Sequence, residues 1–501
     1  MKEHYGDGSR EDGFPSDFVW GVATASYQIE GSRNADGGAE SVWDAFARRP
    51  GAVLGGMNGD LACDSWNRWK EDIGLVRGLG VGAYRFSLSW ARIQPEKGAK
   101  ANGAAIAWYR RFMEGLLEAG IEPWVTLYHW DHPQWMELEG GWPSREMALR
   151  FGDYAALCFK EFGDLANKWM TVNEPWCTAI LGHDTGEHAP GRRDKAAAYR
   201  AVHHLLLGHG LAVEAFRAIG PKGTAAAGGL AVAGRPVAAA ARPDAMAGRL
   251  AAGGGLAASG ENLRASRPMI GIVLNLDLPR PATGREEDIL AASRAGDQRT
   301  ALWMDPLFGR GYPERHIAAY PGVEMPVRPG DLEKIAIPVD FIGVNYYNEN
   351  VVEAAPVSSE HPEGFRSVPM WERRSDMEWP VVPRGLGRLL AGLNARWKPP
   401  AMYVTENGYA GRDEVDASGR VADSDRIDYL RGHLESCEEA IAKGIPLKGY
   451  FEWSLMDNFE WAWGYAKRFG IVHVDFRTME RRPKDSYYWY RDMVAGRGLR
   501  S

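Results

Sequence analysis

The chain has 501 residues, 45% hydrophobic and 25% charged, with 59 Lys and Arg against 66 Asp and Glu. That is the composition of a globular protein able to bury a large core, and a net charge of −7 argues against a nucleic-acid partner, which needs a basic face. The four cysteines, Cys63, Cys158, Cys177 and Cys437, form no CxxC pair, so neither a disulfide framework nor a zinc site is expected.

The first residues, MKEHYGDGSREDGF, contain no apolar core of a secretory signal, and no apolar run reaches membrane-spanning length. A reduced, cytoplasmic protein without a membrane partner is the expectation. Tryptophan is abundant, with 20 copies beside 19 tyrosines. Such rings can fill a core, and they also cover the C–H face of a sugar while keeping an N–H for hydrogen bonding.

In chain order, buried-strand patterns occur at FVWGVATA (18–25), AYRFSLSW (83–90), EPWVTLYH (122–129) and KWMTVNE (168–174). Four more follow at IGIVLNLD (270–277), DFIGVNYY (340–347), AMYVTENG (401–408) and KGYFEWSL (448–455). They are apolar, rich in β-branched and aromatic residues, and do not alternate, as expected of strands covered on both faces. Helical spacing appears between them, at 108–120, 198–220 and 429–444. Alternating strands and helices predict a parallel sheet, and eight such units predict a single α/β domain over residues 1–501, a (β/α)8 TIM barrel with long βα loops. The alternative, an open doubly wound sheet, lacks the GxGxxG expected after its first strand.

Residues 222–268 break this pattern. They are dominated by Ala and Gly, and no aromatic occurs between Phe216 and Trp303. A low-complexity insertion between strands four and five, loosely folded or serving as a lid, is expected.

Barrel enzymes place their chemistry on the loops after the strands. The polar residues there are Gln28, Arg85, His129, Asn173, Glu174, Asn345, Tyr347, Glu406 and Glu460, beside Trp453 and Trp461. They form a set of carboxylates, amides and aromatics. His129 and His132 lack a metal-binding spacing such as HExxH, so no metal is expected, and His132 reads as a hydrogen-bonded loop residue. Glu174 and Glu406 end strands four and seven, which lie across a barrel from one another, so their carboxyls can face one pocket. Two carboxyls flanking one bond are what glycoside hydrolysis needs: at about 5–5.5 Å they give retention, at about 6.5–9.5 Å inversion.

The stretches FVWGVATASYQIEG (18–31), YRFSLSWARIQP (84–95), TLYHWDHPQWM (126–136), TVNEPW (171–176), DFIGVNYY (340–347), YVTENG (403–408) and WSLMDNFEWAWGYAKRFG (453–470), in this order, make the chain resemble glycoside hydrolase family 1, the β-glucosidase family, along nearly its whole length. The resemblance implies a retaining exo-β-glycosidase with Glu174 as acid/base and Glu406 as nucleophile, acting on small β-glycosides or oligosaccharides without a cofactor. Arg85, Asn345 and Tyr347 would support the nucleophile. Gln28, His129, Asn173, Trp453, Glu460 and Trp461 would bind the sugar, Trp130 and Phe469 would wall its pocket, and Trp379 would face the aglycone. A carboxylate at Glu460 opposes a phosphorylated sugar.

Hydrolysis of terminal β-D-glucosyl residues is the leading expectation. Preference for a β-galactoside or β-fucoside, and transglycosylation, remain open with the same residues, as does a homo-oligomer. A metal-dependent barrel hydrolase and a catalytically silent sugar-binding barrel are the readings outside this class. Departures from the family pattern are His132 for a leucine, Ser65 for a histidine, Glu452 where an apolar residue is common, and the Ala/Gly segment. None removes a catalytic group.

Overall fold

The computed structural model describes residues 13–220, 266–497 and 499. Its centre is a closed barrel of eight parallel strands: β1 (Val19–Ala23), β2 (Ala83–Ser87), β3 (Glu122–Tyr128), β4 (Lys168–Asn173), β5 (Met269–Asn275), β6 (Phe341–Asn345), β7 (Met402–Asn407) and β8 (Leu447–Trp453). Each strand pairs with its sequence neighbours and β1 closes on β8, with Val19 opposite Gly449 and Ala23 opposite Trp453. All eight expected strands are present, and closure excludes the open sheet. The expected insertion, residues 222–268, lies outside the described residues over 222–265.

The barrel interior is filled by unequal partners. Trp124, Phe341, Tyr403 and Phe451 meet there, with Trp124 and Tyr403 ring centres 4.9 Å apart and Trp124 and Phe451 5.0 Å apart. Glycine makes room for them: a Cβ on Gly21 would stand 2.3 Å from the Phe451 ring, and one on Gly271 would stand 2.5 Å from Phe341 O. Large and small residues thus interlock in layers, leaving a packed core with no pore.

A second apolar layer lies between the strands and the helices around them. The helices are α1 (Ser65–Leu79), α2 (Gly103–Glu118), α3 (Arg145–Phe162), α4 (Lys195–Ile219), α5 (Glu286–Gly296), α6 (Pro383–Trp397), α7 (Ser424–Ala442) and α8 (Asp485–Asp492), among shorter ones. Two of them start at a side-chain cap: Asn102 accepts from Ala104 N and Ala105 N at α2, and Asp194 from Ala197 N at α4. Among the described residues no helix is long and apolar enough to cross a membrane.

The loops at the carboxyl ends of the strands are long. The strands Arg280–Pro281, Val351–Ala354 and Phe365–Val368 form a small sheet flanking the barrel mouth. The loop after β8 runs through Glu460 to a hairpin of Val472–Asp475 and Glu480–Pro483. A cavity of about 630 Å³ opens between these loops.

Candidate active site

The two strand-end glutamates are held by different devices. Glu174 follows β4 with φ of 42°, a left-handed conformation that non-glycine residues seldom adopt. Its N–H donates to Val273 O of β5 at 2.9 Å, and Pro175 and Trp176 then start the turn leading into the π-helix Cys177–Thr185. Trp130 (φ 75°) and Trp461 (φ 47°) are also left-handed, and all three residues line the cavity. Three of the ten left-handed non-glycine residues among those described thus line one cleft, the kind of place where such strain serves function.

Glu406 is fixed by its neighbours in TENG. Thr405 Oγ1 donates to Asn345 Oδ1 at 2.7 Å. Asn407 donates to Tyr346 O at 2.6 Å and to Tyr429 OH at 2.9 Å, and accepts from Tyr450 OH at 2.6 Å. Gly408 is required by a close approach, since a Cβ there would stand 1.7 Å from Trp453 O. The strand end is thereby locked on both sides of the carboxylate.

One hydrogen-bond network joins the two carboxyls. Arg85 donates to Glu406 Oε1 and to Asn173 Oδ1, each at 2.6 Å, and to Thr405 O at 3.0 Å. Tyr347 OH donates to Glu406 Oε2 at 2.7 Å. Asn345 Nδ2 donates to Glu174 Oε1 at 2.7 Å and to Asn173 Oδ1 at 3.2 Å. Cys177 Sγ stands 3.0 Å from Glu174 Oε2 as its donor. Asn345, expected to support Glu406, touches both sides: its Cα is the register partner of Glu406 and its Oδ1 accepts from Thr405, while its amide nitrogen reaches Glu174. Arg85 and Tyr347 do hold Glu406.

Both carboxyls are nearly dry, with Glu174 6% and Glu406 3% exposed. Burial, and next the charge of Glu406, push Glu174 up to about 7, against the opposing pull of Asn345, Cys177 and Arg85. Burial, and then repulsion from Glu406 and Glu174, push Glu460 up to about 8. Burial and the nearby Arg85 hold His129 well below its usual range, so it stays neutral. Asn173 Oδ1 already accepts from Arg85 and Asn345, so its Nδ2 faces His129 Nε2, at 3.1 Å, and that nitrogen accepts. The imidazole proton therefore sits on Nδ1, which has no partner among the described residues.

Of the expected sugar-binding residues, His129, Trp130, Trp379, Trp453, Glu460, Trp461 and Phe469 line the cavity together with Glu174, Glu406, Asn345 and Tyr347. Trp130 and Trp461 ring centres lie 4.4 Å apart, and Trp130 Nε1 donates to Asn173 O at 2.8 Å. Trp379 packs 5.3 Å from Tyr347 and 6.0 Å from Phe469. Gln28, Arg85 and Asn173 are not on the lining but behind it. Gln28 Nε2 donates to Asn458 Oδ1 at 2.9 Å, to Phe459 O at 3.0 Å and to Glu460 Oε2 at 3.4 Å, fixing the loop that presents Glu460. His132 is a hydrogen-bonded loop residue, between Tyr128 OH at 3.1 Å and Glu137 at 3.4 Å.

Sequence reasoning missed Cys177, His188, Asn275 and Arg299, which also line the cavity. Arg299 lies 4.2 Å over the Trp176 ring. Only Cys177, three residues past Glu174 on a helical turn, had a local signal. Among the described residues no cluster of His, Cys, Asp and Glu could hold a metal ion.

The chain is similar to proteins of one family along nearly its whole length. The sequence model of glycosyl hydrolase family 1 matches residues 10–251 and 249–499. Beta-glucosidase A of Thermotoga maritima is 42% identical over 488 residues, 97% of this chain and 98% of that protein. A bifunctional beta-D-glucosidase/beta-D-fucosidase of Bifidobacterium breve is 38% identical over 507 residues, covering 97% and 99%. The structure of the beta-glucosidase from Thermotoga maritima in complex with deoxynojirimycin superposes with a TM-score of 0.84 at 41% identity, over 97% of this chain and 99% of that one.

Proposed function

The chain belongs to glycosyl hydrolase family 1, and from that premise we propose that it is a retaining exo-β-glucosidase in which Glu406 is the nucleophile and Glu174 the acid/base. One observation carries the reading. Two buried carboxyls share a network in which one is ion-paired to Arg85 and the other, Glu174, accepts from Asn345 with no cation paired to it among the described residues, so that burial and the Glu406 charge push it up to about 7.

The difference sets the roles. Glu406, held by Arg85 and Tyr347, attacks the anomeric carbon of a β-glucoside as an anion. The bond to the leaving oxygen breaks as Glu174 gives that oxygen its proton. Glu406 is then an ester, and the charge that favoured protonation of Glu174 is gone. Glu174, now ionised, takes a proton from water as the water attacks the anomeric carbon and expels Glu406. Two inversions at one carbon restore the β configuration. His129, Glu460 and the rings of Trp453 and Trp461 are the proposed contacts for the glucosyl hydroxyls and ring. A carboxyl at Glu460 can receive hydroxyls in gluco or galacto arrangement, and one relative's name joins glucosidase and fucosidase activity, so β-fucoside cleavage is the second reading.

The test compares p-nitrophenyl β-D-glucoside, β-D-galactoside and β-D-fucoside, with NMR of the first sugar released. The glucoside, or glucoside and fucoside together, should be turned over fastest, with β-anomer appearing first. An α-anomer as first product contradicts retention, and a folded enzyme inert on all three contradicts the substrate assignment.

A further inference from the structure

Cys177 opens the π-helix Cys177–Thr185, three residues beyond Glu174, and lines the cavity. Its sulfur lies between two polar groups. On one side is Glu174 Oε2 at 3.0 Å. On the other, Asn275 Nδ2, at the end of β5, stands 3.7 Å away. An amide nitrogen has only hydrogens to offer, so the sulfur accepts from Asn275 and its own S–H turns to Glu174. Asn345 of β6 holds the other oxygen. The carboxyl is thus gripped at both oxygens by groups from different elements, while Glu174 itself sits on a strained backbone.

We propose that Cys177 is a positioning residue for Glu174: its S–H, aimed by Asn275, holds Oε2 so that the carboxyl keeps one orientation through both half-reactions. The proposal rests on the reading of Glu174 as acid/base. A thiol suits that carboxyl better than a hydroxyl would. Glu174 must keep its proton until a leaving group takes it, and a strong donor on Oε2 would favour early ionisation. An S–H is a weak donor, so it fixes direction at little cost in proton affinity. Burial, and then the neighbouring Glu174, push the thiol well above its usual range, so it stays S–H and does not compete as a nucleophile. The charged and titratable groups facing this pair are Glu406, Arg85, Tyr347 and Glu460 around Glu174, and Arg299 toward the thiol. None is altered by substituting Cys177.

The experiment measures kcat/KM against pH for the full chain and its Cys177→Val and Cys177→Ser variants, with thermal melts to establish folding. Substrates are 2,4-dinitrophenyl β-D-glucoside, whose leaving group needs no proton, and methyl β-D-glucoside, which does. In Cys177→Val the alkaline limb should move up by about half a pH unit, and methyl glucoside should lose about 10-fold while the dinitrophenyl substrate loses about 2-fold. In Cys177→Ser the limb should move down and the methyl glucoside rate should be largely restored. A folded Cys177→Val enzyme with an unmoved limb and equal losses on both substrates overturns the proposal, as does a limb that moves the same way in both variants. Glu174→Ala separates the two levels. Loss confined to methyl glucoside upholds the acid/base reading whatever Cys177 does, and equal loss on both substrates overturns that reading and the proposal with it.

Discussion

Two groups of three carboxyls lie at the same end of the barrel and are neutralised differently. Asp413, Asp423 and Asp457, in the loops after β7 and β8, are matched by Arg426, Lys484 and Arg468. Arg426 pairs with Asp413 at 2.7 Å and also with Asp423; Lys484 pairs with Asp413 at 2.5 Å and Asp457 at 2.7 Å; Arg468 pairs with Asp457 at 2.6 Å. Glu174, Glu406 and Glu460 face one another at the mouth, and among the described residues Arg85 is the only cation ion-paired to any of them. Burial acts upward on Asp413 as it does on Glu174 and Glu460, but the outcome differs. Asp413 is pulled well below the usual carboxylate range by Arg426 and Lys484, while Glu174 and Glu460 rise to about 7 and about 8. Matched charge fastens the β7 and β8 loops, the second of which carries Glu460, Trp461 and Phe469. Unmatched charge leaves protons that can be given and taken near neutral pH.

Three substitutions probe that contrast, and the largest effect belongs to the unmatched group. Glu406→Gly should lower kcat/KM by about 10⁵-fold or more while thermal melts show a folded protein, and azide should restore turnover as an α-glucosyl azide. Asp413→Ala should do the opposite. Urea titration should show a loss of about 3–5 kcal/mol, with the alkaline limb of the rate profile in place. Because the folded Asp413 carboxyl lies below its unfolded value, its stabilising effect is present above about pH 4 and is lost as pH falls from there. If Glu406→Gly unfolds the chain and Asp413→Ala only slows turnover, the two groups have been assigned the wrong way round.

The smallest effect concerns Glu452 on β8, a fully buried carboxyl whose two oxygens have no partner among the described residues. Burial pushes it well above its usual range, against Arg426 and Lys484. The folded state keeps a proton that the unfolded chain releases, so stability falls as pH rises above about 4.3. Glu452→Gln should therefore raise stability at pH 8 by about 1–2 kcal/mol and change it little at pH 4, with activity unaltered. A loss at both pH values would show that this carboxyl is ionised and paired.

Much of this was legible in the sequence because barrel strands are buried on both faces. Their aromatic and β-branched runs stand out, and polar residues at their ends, such as Glu174 and Glu406, read as exceptions. The direction of a side chain at a strand end was not legible. Asn345 is the register neighbour of Glu406 yet its amide reaches Glu174, and Gln28 and Asn173, expected to bind the sugar, stand behind the residues that line the cavity. Contacts between distant loops leave no local pattern either: Lys484 meets Asp413 across 71 residues. The left-handed φ of Glu174 belongs to a residue type that gives no sign of it, unlike the close approach that requires Gly408.

The coupling between the two carboxyls is measured most directly by following the 13C signal of the Glu174 side chain against pH, assigned with Glu174→Gln, in the free enzyme and after Glu406 is trapped as its 2-deoxy-2-fluoroglucosyl ester. Titration near 7 in the free enzyme, falling by about one unit or more in the ester, is the predicted result, whereas the same value in both states would contradict it.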